Sequence, residues 1–227
     1  MSNPLRLASA PALRNAAVCA LLGLAAMAAH AGPGPYNTGV DNNGVPLASN
    51  AIDPHYGIVN SPVFGPAAFI KHESDGPPIN PGGWLPDNTL SSWLVPSTDF
   101  FFGDVPGVTD NITYRTTFDL TGYSLVGGSI SGKWAADDTG LAIRVNGMVV
   151  PGFGVAQNNQ WALFSIDGGF VPGLNVLEFD TRSTVNPTGL RVEMNSIFAP
   201  VPEPATWLMC LAGIAGLLQA RRKAGAL

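Results

Sequence analysis

Catalysis requires a nucleophile, a base or a metal set that the fold can assemble, and this chain offers few such groups. Beyond residue 31 the histidines are His55 and His72, no cysteine occurs between Gly32 and Pro200, and no Gly-x-Ser-x-Gly elbow is present. A Ser-His-Asp site could be built around either histidine, because a triad has no fixed order along a chain. His55, in Asp53-Pro54-His55-Tyr56, reads instead as a turn or packing residue. Asp137-Asp138 with Glu178 or Glu193 could supply the two carboxylates of a glycosidase. Adjacent side chains on a turn point apart, so this pair reads first as turn chemistry. The same two aspartates are the candidate metal ligands, with Asp104, Asp110 and Asn111 in other expected loops. They would hold one structural calcium, an ion that takes oxygen ligands from flexible loops. Their spacing is not that of an EF-hand, and no other cofactor is expected.

The second chemistry open to the chain is carbohydrate binding. Pyranose rings lay their C–H faces on aromatic rings while their hydroxyls seek directional partners. Trp84, Trp93, Trp161 and Phe101, in the run Phe100 to Phe102, stand in or near expected loops and are the candidate binding residues. Three successive phenylalanines cannot all face inward from one strand. Trp93, in Ser91-Ser92-Trp93-Leu94, also reads as a plug that closes the fold, and Trp134, Phe118 and Phe179 read as core. Charge excludes another class of partner. Six basic side chains stand against sixteen acidic ones between residues 32 and 220, a balance that repels phosphate backbones and argues against nucleic acid.

The elements that must position these groups are strands. Charged residues are 12% of the chain, about half the usual share, while 27 Gly and 20 Pro make up about a fifth of it. Residues 33–86 hold ten prolines and admit at most short strands, Tyr56 to Val59 and Ala67 to Lys71. From Ile112 the pattern changes. Ile112, Tyr114, Thr116, Phe118 and Leu120 alternate onto one face of a strand. Further strands are expected at 125–135, at 141–145 with Leu141, Ile143 and Val145 aligned, and at 161–166, 176–181 and 190–196. Asn146-Gly147 between two apolar runs predicts a hairpin with a type I′ turn. No helical stripe interrupts the series, so the expectation is an all-β, two-sheet antiparallel sandwich.

The two ends read as addresses. Residues 1–31 combine Arg6 and Arg14, an uncharged run from Ala16 to Ala29, and Ala29-His30-Ala31, which is the build of a cleaved secretory signal peptide. At the other end Val201-Pro202-Glu203-Pro204 precedes sixteen uncharged residues, 205–220, and then Arg221-Arg222-Lys223. As a helix that run would span about 24 Å, short of a bilayer core of about 30 Å but workable with snorkelling basic residues. A single transmembrane helix is therefore expected, with its basic end in the cytoplasm.

This terminus resembles the PEP-CTERM sorting signal of Gram-negative bacteria, with Val201, Pro202, Glu203, Pro204, Arg221 and Arg222 as its signal residues. The resemblance implies an exosortase-type membrane protease as partner, transient anchoring in the inner membrane, and final location in the cell envelope or extracellular matrix. A second resemblance rests on Trp134, Asp137-Asp138, the 141–145 strand, Asn146-Gly147 and Gly173-x-Asn175-x-Leu177. Together they are similar to the galactose-binding-like jelly roll over about residues 84–198. The organisation expected is a signal peptide at 1–31 and a Gly/Pro/Asn-rich leader at 32–83 whose short strands pack on the sandwich. A jelly roll at 84–200 and the sorting signal at 201–227 follow. The function expected is that of a non-catalytic, exported surface or matrix protein associated with extracellular polysaccharide. The alternatives are an extracellular hydrolase of polysaccharide or peptide and a purely structural adhesion module.

Overall fold

The computed structural model of the protein describes residues 34–61, 64–99, 110–184, 187–202 and 204–224. The expected signal peptide, Phe100 to Phe102, Asp104 and Glu203 lie outside the described residues. Ten strands run through the described chain: β1 (Ile52–Asn60), β2 (Ala67–Lys71), β3 (Trp93–Val95), β4 (Asp110–Asp119), β5 (Ser129–Asp137), β6 (Thr139–Val145), β7 (Met148–Val149), β8 (Ala162–Ile166), β9 (Leu174–Ser183) and β10 (Gly189–Ile197). A helix, α1 (Pro204–Ala224), follows.

The strands form one antiparallel sheet in the order β7-β6-β9-β4-β1-β2-β3-β10-β5-β8. Instead of two separate sheets, a single sheet curls until its halves face each other. Trp134 on β5 lies 5.8 Å from Phe179 on β9, and Phe164 on β8 lies 5.9 Å from the same ring. The reason is the segment expected to be a leader. Its strands are not laid on a sandwich but stand at the middle of the sheet, β1 bonded to β4 and β2 bonded to β3, so they join the two halves. Short β3 pairs with β10 at Leu190 and Leu94, and the leader completes what β3 is too short to cover. Val192 N–H donates to Thr38 Oγ1 at 3.0 Å and Met194 N–H to Asn37 Oδ1 at 2.7 Å. Buried backbone donors are thereby satisfied by side chains where no strand lies alongside.

The inward face of β4 follows the sequence pattern, with Ile112, Tyr114, Thr116, Phe118 and Leu120 all buried. Asn146 (φ 50°) and Gly147 (φ 82°) carry the two positive φ angles that a type I′ turn requires. Asn146 also accepts from Val176 N–H at 2.9 Å and donates to Asn175 Oδ1 at 2.9 Å. Asn175 in turn donates to the carbonyls of Val171 and Gly173. The Asn-Gly and Gly-x-Asn motifs are therefore one scaffold that ties the β6–β7 turn to the start of β9. Leu141 departs from expectation. A bulge between Gly140 and Ala142 leaves it exposed, while Ile143 and Val145 enter the core.

Helix α1 covers the expected uncharged run and continues through Arg221 and Arg222. Among the described residues, however, no helix is long and apolar enough to cross a membrane. The expected transmembrane span is corrected to that extent: sixteen uncharged residues that include Gly213, Gly216 and Gln219 are too few and too weakly apolar.

Candidate functional site

Strand β10 is buried on both faces along Leu190 to Met194. Leu190, Val192 and Met194 enter the main core between the two halves of the sheet. Arg191 and Glu193 point outward, where the Pro-rich segment 76–91 and Trp161 cover them. That cover has its own small core of Ile79, Trp84, Trp93, Val95 and Ala135, with Phe69, Leu85 and Trp161 packed against it.

Trp84 corrects the sequence expectation. It is not a solvent-facing loop aromatic but is 4% exposed, with its ring 4.3 Å from Trp93 and its Nε1–H donating to Asp137 Oδ2 at 2.6 Å. Room for it comes from Gly189, where a Cβ would meet the Trp84 ring at 2.7 Å and Leu94 O at 2.9 Å. Trp93 is fully buried and donates to Leu85 O at 3.0 Å. Trp161, just before β8, is half-buried, with Lys133 Nζ 4.5 Å and Arg191 Cζ 5.3 Å from its ring centre, so cations already occupy ring surface that a sugar could use. Of the four expected sugar-binding aromatics, Trp161 alone among the described residues keeps partial exposure.

Arg191 has no exposed surface, and its guanidinium is met by several polar groups besides the Trp161 ring. Nε donates to Ser91 Oγ at 2.8 Å, Nη1 to Pro86 O at 2.6 Å and Nη2 to Ser91 O at 3.0 Å. Ser91 Oγ–H donates in turn to Glu193 Oε1 at 2.9 Å, which also accepts from Asn88 Nδ2 at 2.6 Å, while Lys133 Nζ sits 3.0 Å from Glu193 Oε2. Burial lowers the Arg191 guanidinium from its ordinary value, opposed by Glu193, Asp87 and Glu73. Burial also works to raise the Glu193 carboxyl, but the bonds from Asn88, Lys133 and Ser91 outweigh it and hold the group below its ordinary value. The result is a rigid, charge-compensated network that staples segment 76–91 to the sheet. Beside it opens a groove of about 420 Å³, lined among others by Ser131, Lys133, Glu193 and Asn195, with Leu90 and Leu163 on its apolar sides.

Asp137 is likewise not a turn residue, while Asp138 is a bend between two strands. Asp137 ends β5, and Asp138 is the single residue before β6. Asp137 is buried with Trp84 as its donor, and Asp138 Oδ2 accepts from the Thr184 N–H at 2.7 Å and from its hydroxyl. Burial first, and then the hydrogen bond with the Asp138 carboxyl, push the Asp137 carboxyl up to about 7, against the Trp84 N–H that favours its charged form. One oxygen of each carboxylate is thus engaged by a protein donor. No group of three or more His, Cys, Asp or Glu side chains able to hold a metal exists among the described residues.

The carboxylates expected as glycosidase partners are engaged apart from one another: Glu193 with Lys133, and Glu178 with Arg115 at 2.6 Å in the other half of the sheet. His55 stacks on Tyr36 at 3.7 Å. Asp53 beside it is buried and accepts the N–H groups of Gly39, His55 and Tyr56 at 2.7, 2.8 and 2.9 Å. His72 Nδ1 lies 3.2 Å from Asp87 Oδ2 and 3.5 Å from Ser92 Oγ, while Nε2 meets Leu47 O at 2.7 Å. A triad needs hydroxyl and carboxylate on opposite ring nitrogens. This trio places both on Nδ1, so it lacks the arrangement in which one ring nitrogen takes the serine proton while the carboxylate holds the other.

Arg191, Ser91, Asn88 and Lys133 were not among the expected site residues. The available signal was the alternation Leu190-Arg191-Val192-Glu193-Met194, whose charged positions read as solvated until segment 76–91 is placed over them.

Residues 200–223 match the family model of the PEP-CTERM protein-sorting motif. The chain therefore carries the mark of an exosortase substrate, an exported protein processed by that membrane protease. No curated protein and no solved structure matches the chain.

Proposed function

We propose that the protein is a non-catalytic component of the cell surface or extracellular matrix that binds polysaccharide. On this reading the signal peptide at 1–31 directs export, the C-terminal helix holds the precursor transiently at the inner membrane, and an exosortase then passes the domain to the envelope. The curled sheet is read as a jelly roll of the galactose-binding-like kind, supported by the Trp134 strand and by the joined Asn-Gly and Gly-x-Asn motifs.

The observation that carries polysaccharide binding is the groove beside Glu193. A sugar chain needs apolar surface for its C–H faces and fixed polar groups for its hydroxyls. Leu90 and Leu163, 55% and 72% exposed, offer the first, and Ser131, Lys133, Glu193 and Asn195 offer the second. The network behind Glu193 holds its carboxylate in place, which lowers the ordering cost of binding.

Retention of the mature protein on immobilised exopolysaccharide and on a glycan array, with and without Ca²⁺, tests the reading. Leu163→Asp should abolish retention with the melting temperature unchanged, because that side chain is mostly in water already. A wild-type protein that binds no glycan under any condition would make a structural adhesion module the better account. Sorting is tested separately: Glu203→Ala should leave uncleaved precursor in the inner membrane of an exosortase-positive host.

A further inference from the structure

The sorting motif begins at Pro200, and its first residues are part of the folded domain. Tyr123 and Pro200 form an antiparallel bridge in which Ser124 N–H donates to Ala199 O at 2.8 Å and Val201 N–H donates to Gly122 O at 2.7 Å. The strand end is anchored from behind by Phe198, which is buried with its ring 5.0 Å from Phe170 and 6.4 Å from Phe118.

Proteins that bind an extended peptide do so largely through its main-chain N–H and C=O groups. In Pro200-Val201-Pro202-Glu203-Pro204 the three prolines have no N–H, so Val201 and Glu203 carry the available donors. The Val201 donor is already given to Gly122. Pro202 and Glu203 are the whole link between Val201 and the first residue of α1, an extended reach of about 10 Å. A protease groove cannot take hold of this segment while the domain does.

We propose that Gly122, Tyr123 and Ser124 are positioning residues of the sorting reaction: they hold residues 199–201 against the domain, and the exosortase acts once this bridge has opened. The folded domain thereby sets the rate at which its own signal is presented. The proposal rests on exosortase processing, which Glu203→Ala tests independently.

Two variants work in opposite directions and are read by pulse-chase of precursor in an exosortase-positive host. Ser124→Pro removes the donor to Ala199 without touching the motif, and the residue before a proline favours the extended conformation that Tyr123 has here. The variant also gives up the Ser124 hydroxyl that accepts from Val126 N–H at 3.2 Å, but the bridge itself loses one of its two hydrogen bonds, which should raise the opened fraction, and the processing rate with it, about fivefold. Tyr123→Cys with Pro200→Cys, in a Cys210→Ser background, locks the bridge. Facing residues at such a non-hydrogen-bonded pair have Cα atoms about 4.5 Å apart, within reach of a disulfide. Oxidised, this variant should accumulate precursor relative to the Pro200→Cys single variant, and added reductant should release it. Processing of the oxidised variant at the rate of the single variant would overturn the proposal, and so would an unchanged rate in a Ser124→Pro protein that melts like wild type. If Ser124→Pro does not fold, the redox-reversible lock decides alone.

Discussion

The two outer faces of the curled sheet carry the same kind of side chain and use it in opposite ways. On β4, β9 and β6, Arg115 binds Glu178 at 2.6 Å and Arg144 binds Asp180 at 2.7 Å, with the arginines 44% and 36% exposed. On β10, Arg191 is completely buried beneath segment 76–91. Period-two alternation produced both rows. What differs is a cover drawn from far away in sequence. An exposed pair exchanges water for a partner at little net gain, whereas a buried guanidinium has given up its water and depends on every one of its acceptors. The ladder is a solvated surface, and the covered cluster is a joint.

The sharpest way to break this contrast is Arg191→Ala. Removing it strips the buried Ser91 hydroxyl and the Pro86 carbonyl of their donor and releases segment 76–91, and urea unfolding should show a loss of about 3–5 kcal/mol. A loss below about 1 kcal/mol would reduce the joint to another surface pair.

Acidity sharpens the contrast next. The folded Asp137 carboxyl titrates at about 7, above an unfolded value of about 3.9. The folded state therefore holds this proton more tightly, and the stability it contributes is fully present below about pH 4 and is lost as pH rises through about 7. Asp137→Asn, which still offers Trp84 an acceptor, mimics the protonated acid and does not titrate. Across that window wild type should lose about 2–4 kcal/mol relative to the variant. The buried Asp53, also raised by burial, is common to both proteins and cancels. A difference that stays constant from pH 4 to 8 would contradict the raised carboxyl.

Trp84→Phe asks how much of the cover depends on a single proton. It keeps an aromatic ring against Trp93 and deletes the donor to Asp137, so thermal or urea unfolding should report about 1–3 kcal/mol of destabilisation. Retention on polysaccharide should follow the folded fraction and nothing more, since Trp84 does not line the groove. The smallest effect belongs to the open face. Arg115→Ala should cost about 0–1 kcal/mol, with any effect shrinking as salt is added.

The sequence by itself determined what local rules govern. The inward row of β4 from Ile112 to Leu120 follows from side chains alternating across a pleat, and the Asn146-Gly147 turn from the tolerance of those two residues for positive φ. The sorting signal is legible for a similar reason, because a protease and a membrane read a continuous stretch of chain. The tertiary structure decided everything that depends on which distant segment lies on top. It put Trp84 inside, made Arg191 a buried staple, turned Asp137 from an expected turn residue into a strand end facing an indole, and set the leader's strands at the centre of the sheet. Each outcome turns on desolvation by residues remote along the chain, such as Pro86, Ser91 and Trp84 meeting Arg191, Glu193 and Asp137 across 53 to 105 positions. Alternation tells which side chains leave the core side of a strand; whether they then meet water or another part of the protein is a property of the assembled fold.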